Sequence, residues 1–241
     1  MASEENETPR GVRSRRRLIV VLFGALVFIA AAVLVAPADW RMRARTVVGE
    51  LARDVLKVVQ QDVMAEDPAQ CFADLDRMDV AFRRMADFET TEGCGVAAGV
   101  RMSRAGAARL ADAPLLTCGM ARAMAAFEQD VLQPAAVEHL GARVARVRHL
   151  GSYNCRPVRR AKRFLSQHAY ANALDVSGFV LSDGRTVSVA KDWDANDGKG
   201  AFLRSVARAA CSRFRVALSP DADALHWNHF HWDLGLFRKC R

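Results

Sequence analysis

Two short segments near the C-terminus contain four of the chain's six histidines. They are SQHAYANALDV (166–176) and HWNHFHWD (226–233). In the first, a histidine lies seven residues before an aspartate, and in the second two histidines are separated by one residue. Imidazole and carboxylate groups without a cysteine suit a catalytic zinc with an open coordination position better than a closed structural site. The segments therefore predict a metal-dependent hydrolase, and the candidate ligands are His168, Asp175 and His231.

The second segment alternates polar and aromatic residues as a strand does. Residues i and i+2 of a strand face the same side, so His229 and His231 should point together while Phe230 and Trp232 pack on the opposite face. Asp175 lies at the start of another predicted strand. If these two strands are neighbours, the three candidate ligands can converge on one metal. The alternative is that the histidines only pack, at a cost of roughly 1–3 kcal/mol for each polar group left unpaired.

The elements that must position these residues follow from hydrophobic periodicity and turn signals. We expect two helices and several strands after residue 70. The predicted helices cover 115–140 and 200–214, and the predicted strands cover 144–153, 174–181, 185–190 and 225–236. This order predicts an α+β domain with a small antiparallel sheet and flanking helices.

The N-terminal part of the chain contains an apolar run over residues 18–36, without a charge or a proline. Its 19 residues are enough to cross a ~30 Å hydrocarbon layer as a helix. Five arginines precede it, which places the N-terminus in the cytoplasm by the positive-inside rule. These are Arg10, Arg13, Arg15, Arg16 and Arg17. A cleaved secretory signal ending in Ala36-Pro37-Ala38 is the alternative, and both alternatives export the rest of the chain.

The sequence therefore predicts four regions. They are a cytoplasmic tail (1–17), a transmembrane signal anchor (18–37), a juxtamembrane helix or linker (38–69) and an exported domain (70–241). The net charge of +8 divides evenly: residues 1–45 carry eight arginines and four acidic residues, and the remainder carries the other +4. Without a dense basic and aromatic stretch, nucleic acid is an unsuitable partner.

Six cysteines all lie after the apolar run, and none forms a CxxC pair. In an exported domain this indicates up to three disulfides, with 15 possible connectivities. The cysteines are Cys71, Cys94, Cys118, Cys155, Cys211 and Cys240.

Over about residues 70–241, the segments GSYNCR, SQHAYANALDV and HWNHFHWDLG with the six cysteines resemble the bacterial extensin-like C-terminal domain family. Through that family the chain is similar to the LAS-type zinc D-alanyl-D-alanine carboxypeptidases and murein endopeptidases. The resemblance implies a Hedgehog/DD-peptidase-like zinc site, with His168, Asp175 and His231 as the Zn²⁺ ligands. It also implies peptidoglycan peptides as substrates.

The resemblance assigns further roles by position. His229 matches the catalytic base and His226 a second active-site histidine, while Arg156 resembles an arginine that binds substrate oxygen. Ser166 and Tyr153 correspond to substrate or supporting positions. Carboxylates commonly accept the imidazole N–H groups of a zinc site, and Asp233 and Asp192 are the candidates here. For Asp192 a position in a surface loop is the alternative.

These expectations combine into one hypothesis. The chain is a single-pass inner-membrane protein whose periplasmic domain is a zinc metallopeptidase acting on D-Ala-containing or cross-link amides of peptidoglycan. The alternative is a non-catalytic murein-binding or structural domain on the same fold. The sequence leaves the oligomeric state and the choice between exo- and endopeptidase action open.

Overall fold

The structure is a computed structural model that describes residues 67–159 and 161–241, with five isolated earlier positions. The five are Gly24, Ala25, Phe28, Ala31 and Val47. The chain divides into two units, Met1–Met64 and Ala65–Arg241, and all elements below belong to the second. The predicted tail and anchor, and the predicted linker up to residue 66, otherwise lie outside the described residues. Among the described residues, no helix has both the length and the apolar character that a membrane span requires.

Five α-helices are described in the second unit. They are α1 (Pro68–Arg77), α2 (Cys118–Phe127), α3 (Gln133–Leu140), α4 (Val189–Asp192) and α5 (Gly198–Ala210). A π-helical turn, Glu128–Leu132, joins α2 to α3. The helix predicted over 115–140 is thus confirmed from residue 118 onwards. Its first three residues form a strand, because the Thr117 side chain accepts a hydrogen bond from the Met120 amide (3.2 Å) and so starts the helix there.

Fourteen strands are described. The first seven are β1 (Val80–Arg84), β2 (Phe88–Glu89), β3 (Gly95–Val96), β4 (Gly99–Ala105), β5 (Ala108–Leu110), β6 (Leu115–Thr117) and β7 (Val144–Gly151). The others are β8 (Pro157–Val158), β9 (Ala161–Leu165), β10 (Ala173–Leu181), β11 (Thr186–Ser188), β12 (Val216–Leu218), β13 (Phe230–Asp233) and β14 (Lys239–Cys240).

Ten of these strands form one sheet in the order β1-β4-β5-β7-β10-β13-β12-β14, with β6 beside β4 and β11 beside β10. The pairs β5–β7 and β12–β14 are parallel and the others antiparallel. Two small sheets, β2–β3 and β8–β9, lie outside it. The α+β class is confirmed, with a larger sheet than predicted and two parallel pairs within it.

The main core packs between the helices and one face of the ten-stranded sheet. Side chains from α1, α2, α3 and α5 join those from β4, β5, β7, β10 and β13 in one cluster. Among its largest buried members are Leu75, Met102, Phe127, Phe179, Phe202 and Trp232. All these strands place apolar side chains on this face, which we call the helix face. Their alternate residues lie on the opposite side of the sheet, which we call the open face.

Three disulfides connect the six cysteines, as the sequence predicted. Their partners are Cys71–Cys118, Cys94–Cys155 and Cys211–Cys240. The first joins α1 to the start of α2. The second, here named the loop disulfide, ties the loop after β7 to the segment before β3. The third, here named the C-terminal disulfide, ties the end of α5 to β14.

Candidate metal centre

The candidate ligands come from two neighbouring strands and one short turn. Asp175 on β10 lies directly opposite His231 on β13 in the antiparallel register. The neighbours of Asp175 along β10, Leu174 and Val176, are fully buried in the core of the helix face. Because side chains alternate along a strand, Asp175 and His231 both project from the open face.

His168 belongs to a 3-10 turn, Gln167–Tyr170, that leads into β10. The turn begins at Ser166, whose hydroxyl accepts a hydrogen bond from the His168 amide (3.4 Å). It ends at Ala171 in the left-handed conformation (φ 51°), which lets the chain reverse into the strand. The turn thus places an imidazole that is only 3% exposed over the end of β10.

The three ligand atoms form a compact triangle. The Asp175 Oδ1 atom lies 2.9 Å from His231 Nδ1 and 3.2 Å from His168 Nε2. The two nitrogens are 3.2 Å apart. Ligands on a tetrahedral zinc at 2.0–2.1 Å lie about 3.3 Å from one another. The donor types and separations therefore fit one face of a zinc tetrahedron, and His168, Asp175 and His231 form a group that could hold a metal ion.

The outer nitrogen of each imidazole is held by an acceptor. His168 donates from Nδ1 to the carbonyl oxygen of Ser152 (2.7 Å), and His231 donates from Nε2 to the Asp233 carboxylate (2.8 Å). A hydrogen bond from one ring nitrogen fixes the tautomer and leaves the other nitrogen for a metal. The acceptors therefore direct His168 Nε2 and His231 Nδ1 into the triangle.

The cluster attracts positive charge. Burial alone would raise the pKa of Asp175, but the neighbouring imidazoles of His168 and His231 outweigh it and hold that pKa far below its usual range. Burial would lower the pKa of His231, yet the carboxylates of Asp175 and Asp233 outweigh it and raise that pKa to about 9. In the metal-free protein, His231 therefore carries a proton where a metal ion would be held.

The other two histidines lie in the turn that precedes β13. The strand predicted over 225–236 is confirmed only for Phe230–Asp233, so His226 and His229 do not belong to it. His229 donates from Nδ1 to the Asn228 side-chain oxygen (2.7 Å), and its Nε2 atom lies 3.6 Å from Asp175 Oδ1. Burial lowers the pKa of His229, which favours the neutral imidazole with the Nε2 lone pair towards the triangle.

His226 stands beside His229, with ring centres 5.3 Å apart. It donates from Nδ1 to the Asp223 carboxylate (2.8 Å), which also accepts from the Leu225 amide (2.9 Å). Burial lowers the pKa of His226, and the nearby Asp223 opposes that shift. The spacing of Asp223 and His226, three residues apart in a turn, is the signal that could have identified this carboxylate from the sequence.

The predicted supporting residues take different positions. Tyr153 packs in a small apolar cluster with Val96, Leu115 and Ala171, so it supports the end of the His168 turn. Arg156 donates from its side chain to the Pro157 carbonyl oxygen (3.5 Å). Its own carbonyl accepts from the Ser166 amide (3.0 Å). The structure thus brings the backbone of Arg156 to the turn, and its guanidinium contacts the carbonyl of the next residue.

The loop that follows β7 also holds the His168 turn through its backbone. Besides the Ser152 carbonyl, the Asn154 amide donates to the His168 carbonyl oxygen (3.0 Å). Backbone contacts of this kind leave no signal in residue types, so the sequence could not reveal them. The carboxylate of Asp192, by contrast, accepts from the Ser188 amide (2.7 Å) at the start of α4 and lies 3.8 Å from the Lys199 ammonium, and none of its described hydrogen bonds is with an imidazole.

Comparison with known proteins agrees with the sequence resemblance at the level of the family. None of the curated proteins and none of the solved structures matches the chain significantly. Residues 69–241 match the family described as extensin-like protein C-terminus. This range includes both histidine segments, the three disulfides and every described element except the first residue of α1. Since the match covers well over half of the sequence, the chain belongs to the extensin-like protein C-terminus family.

Proposed function

We propose that the domain is a zinc metallopeptidase that hydrolyses amide bonds in peptidoglycan peptides. One observation carries this proposal: a triangle of two imidazole nitrogens and one carboxylate oxygen, with the unprotonated nitrogen of a third imidazole directed at it. A purely structural zinc site is closed by four protein ligands. Here three ligands and a base share the site, as hydrolysis requires.

Zinc fits the donor set. Two imidazoles exclude calcium and magnesium, which prefer oxygen ligands, and nitrogen-rich sites with one carboxylate are typical of catalytic zinc. When bound, zinc supplies a coordination position for water and lowers the pKa of that water towards ~7. Asp233 and the Ser152 carbonyl keep the two histidine ligands in the tautomers this arrangement needs.

The remaining side chains supply proton transfer and orientation. His229, kept neutral by its lowered pKa, accepts a proton at Nε2 during attack and returns it to the leaving amine. His226, held by Asp223, packs against His229 and limits its movement. The guanidinium of Arg156 would stabilise the oxyanion, a role that rests on the resemblance alone.

The substrate and location rest on different arguments. Peptidoglycan peptides, either D-Ala-containing or cross-linked, are proposed from the similarity to LAS-type carboxypeptidases and endopeptidases. Attachment to the inner membrane and a periplasmic domain are proposed from the apolar run over residues 18–36 and its preceding arginines. Three disulfides support an oxidising compartment.

Metal analysis combined with a murein digest tests the proposal. The full chain, purified without chelators, should carry about one zinc per molecule and release peptides or D-alanine from purified murein. His168→Ala and Asp175→Ala should lose both properties. His229→Ala should keep the zinc and lose roughly 10²–10⁴-fold in rate.

The matched control is His139→Ala, which removes an imidazole on α3, outside the site. It should leave metal content and rate unchanged. Protein that binds no zinc would refute the enzyme. Protein that holds zinc and retains murein without cleaving it would instead show the non-catalytic wall-binding domain.

A further inference from the structure

A row of exposed arginines crosses the sheet on the face that carries the candidate metal centre. We call it the arginine row, and its members are Arg83 on β1, Arg101 on β4, Arg109 on β5 and Arg146 and Arg148 on β7. The strands that carry them are adjacent in the sheet. The row thus extends over four neighbouring strands.

Burial and strand register show that the row lies on the open face. On β4, Arg101 lies between Val100 and Met102, which are fully buried in the core of the helix face. On β7, Arg146 precedes the buried Val147 in the same alternation. Asp175 projects from the opposite side to that core as well. The arginine row and the metal centre therefore occupy the same face of one sheet.

The positions of these five arginines do not stabilise the sheet. Arg83 lies opposite Arg101, and Arg109 lies opposite Arg146, although like charges facing each other across strands destabilise a sheet. Strands β1, β4, β5 and β7 contain no aspartate or glutamate. Within the part of the chain that the structure describes, none of the five guanidinium groups forms an ion pair, whereas other arginines do.

The row leads along β7 to the metal centre. Gly151, the last residue of β7, lies opposite Asp175 on β10. Arg148 is three residues before Gly151 and Arg146 five residues before it, which places them about 10 Å and 16 Å along the strand from the cluster. A chain of a few residues with its reacting bond at the cluster would therefore reach both guanidinium groups.

We propose that the arginine row binds the carboxylates of an acidic peptide whose scissile bond lies at the metal centre. This deepens the proposed function and rests on it, since it assigns the substrate as a peptide strand bearing several carboxylates. Guanidinium groups pair with carboxylates through two parallel hydrogen bonds. Continuity with the cluster favours a substrate strand over an anionic membrane surface, which would have no reason to extend to the metal ligands.

Binding to purified murein sacculi tests the row without depending on turnover. All proteins are the full chain carrying His229→Ala, so that digestion does not consume the sacculi. One sample of sacculi keeps its peptide carboxylates, and a second has them converted to amides with carbodiimide and ammonia. The variant is Arg146→Gln with Arg148→Gln. The control, Lys191→Gln with Arg208→Gln, makes the same charge change at exposed positions on α4 and α5.

We expect the arginine variant to bind untreated sacculi about tenfold more weakly at low salt, from the loss of two exposed ion pairs. The control should stay within about twofold of the parent by the same reasoning. The parent protein should bind amidated sacculi as weakly as the arginine variant binds untreated sacculi. Equal loss in both double variants, or unchanged binding to amidated sacculi, would overturn the proposal.

Binding to phosphatidylglycerol vesicles tests the alternative that the arginine row binds an anionic membrane surface. Binding to vesicles that depends on Arg146 and Arg148, with sacculus binding unaffected, would assign the row to a membrane surface and also overturn the proposal. A protein that cleaves nothing in the murein digest yet shows the expected sacculus pattern would refute the peptidase and retain the acidic-peptide surface. The two failures are therefore distinguishable.

Discussion

In the proposed zinc site, a proton and a metal ion would compete for the Nδ1 atom of His231. In the metal-free protein His231 donates from Nδ1 to Asp175 (2.9 Å) and from Nε2 to Asp233 (2.8 Å). Burial disfavours the charged imidazole, but the two carboxylates outweigh burial and raise the pKa of His231 to about 9. Because Nδ1 faces the triangle, a metal can bind there only after that proton leaves. Zinc affinity should therefore depend on pH well above the usual histidine range.

The size of the effect follows from the pKa. At pH 7, two units below the pKa of His231, removal of the proton costs about 3 kcal/mol, or roughly 100-fold in apparent affinity. We expect affinity to rise about tenfold per pH unit from pH 7 to 9 on account of this group and to level off above pH 9. For a histidine with an ordinary pKa, the rise in zinc affinity with pH would level off near pH 6.5.

Two measurements check this prediction. Side-chain NMR of the metal-free domain should show one histidine that titrates near pH 9. Competition with a chelator of known affinity, corrected for its own protonation, should give the apparent zinc affinity at pH 7, 8 and 9. If all histidines titrate below pH 7.5, or if the corrected affinity is flat over this range, the argument from the two carboxylates is wrong.

The Asp233→Asn variant tests how much each of the two carboxylates contributes to the raised pKa of His231. Asparagine keeps an oxygen acceptor for His231 Nε2 but removes the negative charge, so the pKa of His231 should fall and the affinity plateau should begin at a lower pH. His139→Ala should leave the plateau where it is. An Asp233→Asn protein with an unchanged plateau would show that Asp175 alone raises the pKa.

Three further predictions concern stability. Because the folded-state pKa of His231 is raised, its contribution to the free energy of unfolding is complete below pH 6.5 and disappears as pH rises through 9. Urea unfolding of the metal-free domain should therefore show a loss of about 3 kcal/mol between pH 6 and pH 10. Equal stability at these two pH values would contradict this. Gly106→Ala would place a methyl group against the buried Glu128 carboxylate at a φ of +52° and should cost about 2–4 kcal/mol of unfolding free energy. Gly141→Ala, at a φ of +67° in open space, should cost about 1 kcal/mol. Similar losses in the two variants would refute the packing argument. Replacing the loop disulfide by alanines should cost about 4 kcal/mol of unfolding free energy and weaken zinc binding roughly tenfold, because the Ser152 carbonyl is no longer held in place. Removal of the C-terminal disulfide should cost about as much stability but leave zinc affinity unchanged. An equal effect of the two changes on zinc affinity would show that the loop does not position the site.

The sequence predicted those parts of the site that depend on local alternation. The pattern of Phe230, His231 and Trp232 was enough to separate the helix face from the open face. The buried Leu174 and Val176 show the same alternation around Asp175. The pairing of β10 with β13 is different, because it joins residues 56 apart in the chain and had to be assumed. The family resemblance, rather than periodicity, supplied the reason to assume it.

What could not be predicted depends on hydrogen bonds of the backbone and on turns. The pattern predicts a strand from residue 225 onwards, but the Asp223 carboxylate accepts hydrogen bonds from the Leu225 amide and the His226 side chain and so folds this segment into a turn. The start of α2 was missed for a similar reason, since one hydrogen bond, donated by the Met120 amide to the Thr117 hydroxyl, starts the helix and ends the preceding strand. The partners of the three disulfides were not predictable either, because they depend on how distant segments pack.

The candidate ligand His231 and the proposed base His229 lie in different structural settings. The strand that carries His231 is fixed from below: Trp232 stacks on Phe214 (5.0 Å between ring centres) and meets Phe127 (4.9 Å) in the core. A metal site needs its ligands held within about 0.5 Å, and a strand packed in this way meets that condition. His229 lies in the turn before the strand, where its ring donates to the Asn228 side-chain oxygen (2.7 Å) and packs against His226. The candidate ligand His231 is therefore fixed by core packing, whereas the proposed base is positioned by side chains of its own turn.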